Sequence, residues 1–252
     1  MKHFLTLFFI GSILFAQDRP KPEETEVWEP EPRVVAPGIY NGPPSDAVVL
    51  FDGTDLSKWR NAANHEAAEW TINKDGSMTV KPRSGSIETT EDHGSIQLHV
   101  EWKSPTVIKG EGQGRGNSGI IFQRRYEVQV LDSYNNRTYS NGQATSIYKQ
   151  HIPLVNAMRP TGEWQTYDIV FTEPKFDADG NKITSGRFTV FHNGIIVQNS
   201  VEILGTTEYI GAPKNKRDDM PGYEDQKHNH RTLMLQDHGD LVSYRNIWMR
   251  KL

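Results

Sequence analysis

The chain has 252 residues, enough for one large domain or two small ones with a sizeable core. Its formal net charge of −4, with Lys and Arg scattered rather than clustered, excludes the basic footprint of a nucleic-acid binder. The absence of cysteine excludes disulfides, thiolate zinc sites, a cysteine nucleophile and a lipidated cysteine, so an exported domain of this kind must rely on its core.

In chain order, the first element is MKHFLTLFFIGSILFAQ, with Lys2 and His3 ahead of an apolar run from Phe4 to Ala16. That run is too short to span a bilayer and matches the core of a signal peptide, with small Ala16 before the cut. Residues 1–16 are therefore expected to be a signal peptide. The expected location is a bacterial periplasm, with no membrane contact after cleavage; an uncleaved anchor is the alternative. Residues 17–45 hold seven of the fourteen prolines, and proline fixes φ and removes an N–H donor. They read as an extended, partly polyproline-II leader, which Trp28 and Tyr40 could dock onto the domain that follows.

From residue 46 to 252 the pattern is β. Strands are expected at 47–51, 77–81, 95–103, 118–124, 125–131, 165–172, 186–192, 194–201, 231–238 and 242–251, divided by turns such as Asp52-Gly53, Asp75-Gly76 and Asp179-Gly180. Asn193-Gly194 in FTVFHNGIIVQ is a type I′ hairpin signal, since that turn needs positive φ at both central residues. No stretch sustains a 3.6-residue apolar period, and many short strands mean a β-sandwich or barrel. FDADGN (176–181) lacks the later acidic ligand of a calcium loop and reads as a turn. His228 and His230 in HNHR could chelate a metal, but their long polar surroundings read as a surface loop able to cover a cleft.

Alternation within the strands raises a functional question. In YEVQVLDS (126–133), Tyr126, Val128 and Val130 share one face, and Glu127 and Gln129 share the other. Gln97, His99 and Glu101 form a polar row in SIQLHVEW, and Met234, Gln236 and His238 share a face in TLMLQDHG. A sheet that merely faces water favours Lys, Thr, Ser and Arg on its outer side. Rows of Glu, Gln and His point instead to a site. By strict alternation Asp132 falls on the core face, where an unpaired carboxylate is costly; it either ends the strand or pairs with a buried Arg, Arg245 being the candidate.

LFDGTDLSKW (50–59), GNSGIIFQRRYEVQVLDSY (116–134), NAMRPTGEWQTYDIVF (156–171), FHNGIIVQ (191–198) and LQDHGDLVSYRNIWMRKL (235–252) stand in this order. Together they resemble the 3-keto-disaccharide hydrolase family, over about residues 46–252. The resemblance implies an all-β, concanavalin A-like jelly-roll sandwich of two antiparallel sheets with a concave cleft. It also implies an exported hydrolase or lyase that cleaves 3-keto-glycosides or related saccharides. A 3-keto group acidifies the C2–H, so a base removes that proton, the C1 aglycone leaves, and added water completes a net hydrolysis.

On this reading Glu127, His238 and Asp132 are the catalytic candidates, and Glu127 and His238 the candidate ligands should a divalent metal assist. Gln129, Gln236, Arg125, Asn117, Tyr148, Glu101 and His99 are expected to contact substrate, with Arg125 chosen over Arg124 by its parity with Glu127. Trp164 is placed at the rim or in the core. No cofactor is required by the sequence, and the expected partner is a saccharide. The alternative is a non-catalytic carbohydrate-binding module of the same fold. A retaining glucanase of this fold wants paired carboxylates about 5 Å apart, and YEVQVLDS offers one Glu beside an amide.

Overall fold

A computed structural model describes residues 20–213 and 231–252 in two compact units, the first ending at Val35 and the second spanning Ala36–Leu252. In the first unit the described residues make one 3-10 turn, Pro22–Glu24, and are otherwise irregular, with Trp28 exposed. The apolar run from Phe4 to Ala16, expected to be a signal peptide, and His228 and His230 lie outside the described residues.

In the second unit the strands run β1 (Val48–Phe51), β2 (Trp59–Asn61), β3 (Thr71–Ile72), β4 (Met78–Thr79), β5 (Ile87–Thr89), β6 (Ile96–Lys103), β7 (Ser118–Phe122) and β8 (Tyr126–Val130). They continue with β9 (Gln165–Thr172), β10 (Lys175–Phe176), β11 (Lys182–Thr184), β12 (Arg187–His192), β13 (Ile195–Glu202), β14 (Met234–Leu235) and β15 (Ser243–Lys251). Each expected strand is present, several of them shorter than its apolar pattern. The sheets are antiparallel. The larger has the order β13-β12-β9-β6-β15-β4-β3, with β1 also on β15; the smaller has the order β2-β5-β14-β7-β8. FDADGN closes the β10–β11 hairpin, where Asp177 accepts the Asp179 and Asn181 N–H groups. Asn193 and Gly194 take φ of 53° and 80°, as a type I′ turn requires.

The core lies between the sheets. Ile96, Leu98, Val100 and Trp102 of β6 and Tyr167, Ile169 and Phe171 of β9 face Ile120, Phe122, Tyr126, Val128 and Val130 of β7 and β8. Phe122 joins the layers, its ring centroid 5.0 Å from both Phe171 and Phe188. Fully burying such a side chain contributes about 1.5–3 kcal/mol. Tyr40 is exposed and is no anchor. The residues before the sandwich are tied down by the Asn41 carbonyl, which accepts Trp248 Nε1–H at 3.0 Å and Asn246 Nδ2–H at 3.1 Å.

One expectation is overturned by the sheet order. The β6 row belongs to the larger sheet, whereas Glu127, Gln129 and Gln236 belong to the outer face of the smaller one. Alternation reveals which residues share a face; it does not reveal which sheet a strand joins.

Candidate active site

The outer face of the smaller sheet follows from its register. One cross-strand row reads Arg60, Glu88, Met234, Ile121, Glu127. Beyond β8, residues 145–148 extend the sheet: Val128 bridges to Ile147, and the Tyr148 N–H donates to the Glu127 carbonyl at 3.1 Å. Tyr148 therefore continues the same row, with its Cβ about 5 Å from that of Glu127. The next row brings Gln236 beside Gly119, through Gln236 N–H to the Gly119 carbonyl at 3.0 Å, and Gly119 beside Gln129.

These residues enclose a cavity of ≈ 240 Å³, lined by Asn117, Glu127, Gln129, Tyr148, Thr207, Tyr209, Gln236 and His238. That volume suits one saccharide ring better than an extended chain. Gly119 lies beneath it. A Cβ at that position would stand 2.5 Å from Glu127 Oε1, so the carboxyl lies across the strand where glycine leaves room.

Glu127 is 8 % exposed. Burial pushes its carboxyl up to about 8. With the Gln129 amide turned one way, Nε2 reaches Glu127 Oε1 at 3.1 Å and the Ser118 carbonyl at 3.0 Å. In the opposite orientation Nε2 donates to Gln113 Oε1 at 3.0 Å. The Glu127 backbone N–H donates to Thr207 Oγ1 at 2.9 Å, which draws the 206–209 segment against the site. Asn117 is buried, its Nδ2 donating to the Gln113 carbonyl at 2.7 Å and its backbone N–H to Asp240 at 2.8 Å. His238 stands exposed at the rim.

Four of the expected site residues lie elsewhere. Asp132 is buried, but its partner is Arg115, not Arg245: Arg115 Nε donates at 2.8 Å and Thr161 Oγ1 donates at 2.8 Å. With Arg115 it lines a separate cavity of ≈ 490 Å³ beside Ser104, Pro105 and Leu241. Arg125 lines another cavity with Gln123, Glu173 and Arg231. Strand parity fails for it because Gln123 and Arg124 adopt φ of 51° and 56° in the β7–β8 turn.

His99 and Glu101 sit on the outer face of the larger sheet. His99 Nδ1 is 2.7 Å from Asp168, while Arg245 Nε donates to Glu101 at 2.7 Å. His99, its Nε2 3.8 Å away, and hydrogen bonds from Asn246 and Arg245 outweigh burial and hold Glu101 at about 2. Trp164 is neither rim nor core here; the Arg245 guanidinium lies 4.1 Å, and Lys103 Nζ 4.7 Å, from its ring centre.

Sequence reading missed Thr207, Tyr209 and Gly119. Only Gly119 carried a signal, a glycine inside a strand, which marks close approach of another group. Among the described residues no three His, Asp or Glu side chains converge to hold a metal ion. A divalent ion that keeps several waters needs as few as one or two carboxylates, and Glu127 is the buried carboxylate lining this cavity.

Residues 46–250 match the family model described as a 3-keto-alpha-glucoside-1,2-lyase-like domain. Among solved structures, one described as a "putative glycosyl hydrolase" from Parabacteroides distasonis is 49% identical, with a TM-score of 0.83, covering 92% of this chain and 97% of its own. Two further structures with the same description and organism, at 19% and 20% identity and TM-scores of 0.53, share the fold; each covers 82% of this chain, and 94% and 99% of its own. Comparison with curated proteins finds no match. The sandwich is of the concanavalin A-like type.

Proposed function

The chain belongs to the 3-keto-alpha-glucoside-1,2-lyase-like family, and from that premise we propose that it cleaves 3-keto-glycosides, with Glu127 as the base that removes the C2 proton. The family and its 49% identical relative make this a carbohydrate-active, glycosyl hydrolase-like protein. The observation that carries the finer reading is the Glu127 carboxyl, buried at a cavity wall with its pKa raised to about 8. Desolvation makes a carboxylate a stronger base toward a C–H next to a ketone.

The remaining lining residues are amide and hydroxyl groups suited to a neutral sugar. Asn117 and Gln236 offer N–H donors for the ring hydroxyls and for the oxygen that gains charge as C2 loses its proton. His238 stands exposed at the rim. The reaction is elimination across C1–C2 followed by water addition, or elimination alone. A carbohydrate-binding module has no use for a buried carboxyl whose desolvation opposes folding, and this favours the enzyme over the module. Export belongs to the same proposal and is supported by the apolar run from Phe4 to Ala16.

The test is incubation with an aryl 3-keto-glucoside and the parent glucoside, with and without chelator. Aglycone release is expected from the keto substrate alone, with kcat/KM rising with pH through about 8, because the active form of Glu127 is deprotonated. Glu127→Gln is expected to lower kcat at least 100-fold. No release from the keto substrate, or a fully active Glu127→Gln variant, overturns the reading; loss of activity on chelation adds a metal to it.

A further inference from the structure

Elimination needs an acid as well as a base: when the C1–O bond breaks, the departing oxygen must receive a proton unless it is already a stable anion. Resting on the reading of Glu127 as base, we propose that Tyr148, backed by Tyr139 and Lys149, is the catalytic acid that protonates the leaving glycosidic oxygen.

Three independent features build this group. Tyr148 is the direct cross-strand neighbour of Glu127 and lines the same cavity, so both side chains project from one row of the sheet. Its hydroxyl lies 2.6 Å from the Tyr139 hydroxyl, and either can be the donor. The pair can therefore turn, Tyr148 donating toward substrate while Tyr139 donates to Tyr148. The second feature is the seat of Tyr139. Its ring lies over Gly142, where a Cβ would come within 2.0 Å of a ring carbon.

The third feature is Lys149. It holds a left-handed backbone at φ 62°, a conformation that costs a non-glycine residue energy, with its N–H on the Asn141 carbonyl at 2.8 Å. From there Nζ lies 4.3 Å from the Tyr139 ring centre, 5.3 Å from that of Tyr209 and 5.9 Å from that of Tyr148. A cation at this place stabilises the phenolate left after proton transfer.

The proton count closes. Glu127 takes the C2 proton, the C1–O bond electrons leave with the aglycone oxygen, and that oxygen takes the Tyr148 proton. The phenolate then removes a proton from the water that adds at C1, and Glu127 returns its proton to C2. The two steps are coupled electrically. Burial, the Tyr139 hydrogen bond and then the Glu127 carboxylate hold the Tyr148 proton on in the resting site. Protonation of Glu127 removes the carboxylate's share as the acid is called on.

The experiment compares two 3-keto-glucosides, one with a 4-nitrophenyl and one with a methyl aglycone, on wild type, Tyr148→Phe and Tyr139→Phe. Nitrophenolate leaves without a proton, and methoxide does not. Tyr148→Phe is expected to lose at least 100-fold in kcat on the methyl substrate and less than fivefold on the nitrophenyl one, with Tyr139→Phe between it and wild type. Equal losses on both substrates, or no loss on the methyl substrate, overturn the acid role while leaving Glu127 as base. A wild type inactive on both overturns the base reading and the acid role together. Thermal unfolding of each variant separates a folding defect, and for a variant that unfolds, Tyr148→His, which keeps a proton donor, is expected to restore part of the methyl-substrate rate; no recovery overturns the role.

Discussion

At the scale of single residues, the environment of Glu127 decides what it can do. The same side chain on a wet strand would be an ordinary surface acid; here it is nearly sealed and its carboxyl is pushed up to about 8. Its position rests on Gly119. Gly119→Ala is expected to cut kcat tenfold or more, because the new Cβ takes the place of Glu127 Oε1, which must move. The altered group is on the outer face of the sheet, so the melting temperature should change far less than activity does. Parallel measurement of kcat and Tm checks this, and full activity in the variant would show that the carboxyl's place over the glycine does not matter. Glu127 was legible in YEVQVLDS from alternation and family resemblance. Its pKa was not, because desolvation is set by Tyr148, Thr207 and Tyr209, which arrive from distant sequence.

At the scale of elements, strand ends and turns are where alternation stopped being a guide. Asp132 lies two residues past β8, buried and paired with an arginine, but that arginine is Arg115 from the preceding loop. Thr161 adds a second donor, so the carboxylate joins three segments of chain. Removing one member of a buried ion pair leaves the other uncompensated and costs about 3–5 kcal/mol. Asp132→Ala is therefore expected to lower stability by about that amount in denaturant titration while leaving the pH profile of the reaction in place. A variant that keeps its stability but loses the alkaline limb of that profile would return Asp132 to the chemistry. Arg125 shows the opposite failure: the left-handed Gln123 and Arg124 turn it away from the face that counting assigned.

At the scale of the whole molecule, the titrating groups oppose one another across neutral pH. Burial lowers His93 to about 4 and His192 to about 3 from 6.5, so the stability linked to them is full above 6.5 and is lost as pH falls. Glu127 is raised from 4.5, so the stability linked to it is full below 4.5 and is lost as pH rises to about 8. For His99, burial acts to lower the pKa, but hydrogen bonds and charge from Asp168 and Glu101 prevail and raise it; its contribution is full below 6.5 and is lost above. Between 4.5 and 6.5 two histidines outweigh one carboxyl, and above 6.5 the balance reverses. Maximal Tm is expected near pH 6.5, with Glu127→Gln flattening the alkaline side. A wild-type Tm that climbs steadily to pH 9 would contradict this balance.

The sequence by itself determined the β class, the strand positions, the Asn193-Gly194 hairpin, the outward direction of Glu127 and Gln129, and the family. These are properties of short windows, where side-chain period and turn chemistry act over a few residues. The tertiary structure alone decided that His99 and Glu101 lie on the other sheet, that Asp132 belongs to Arg115, and that Tyr148 stands beside Glu127. Each of these depends on pairing between segments separated by loops, where register and burial are settled by the packing of the whole sandwich.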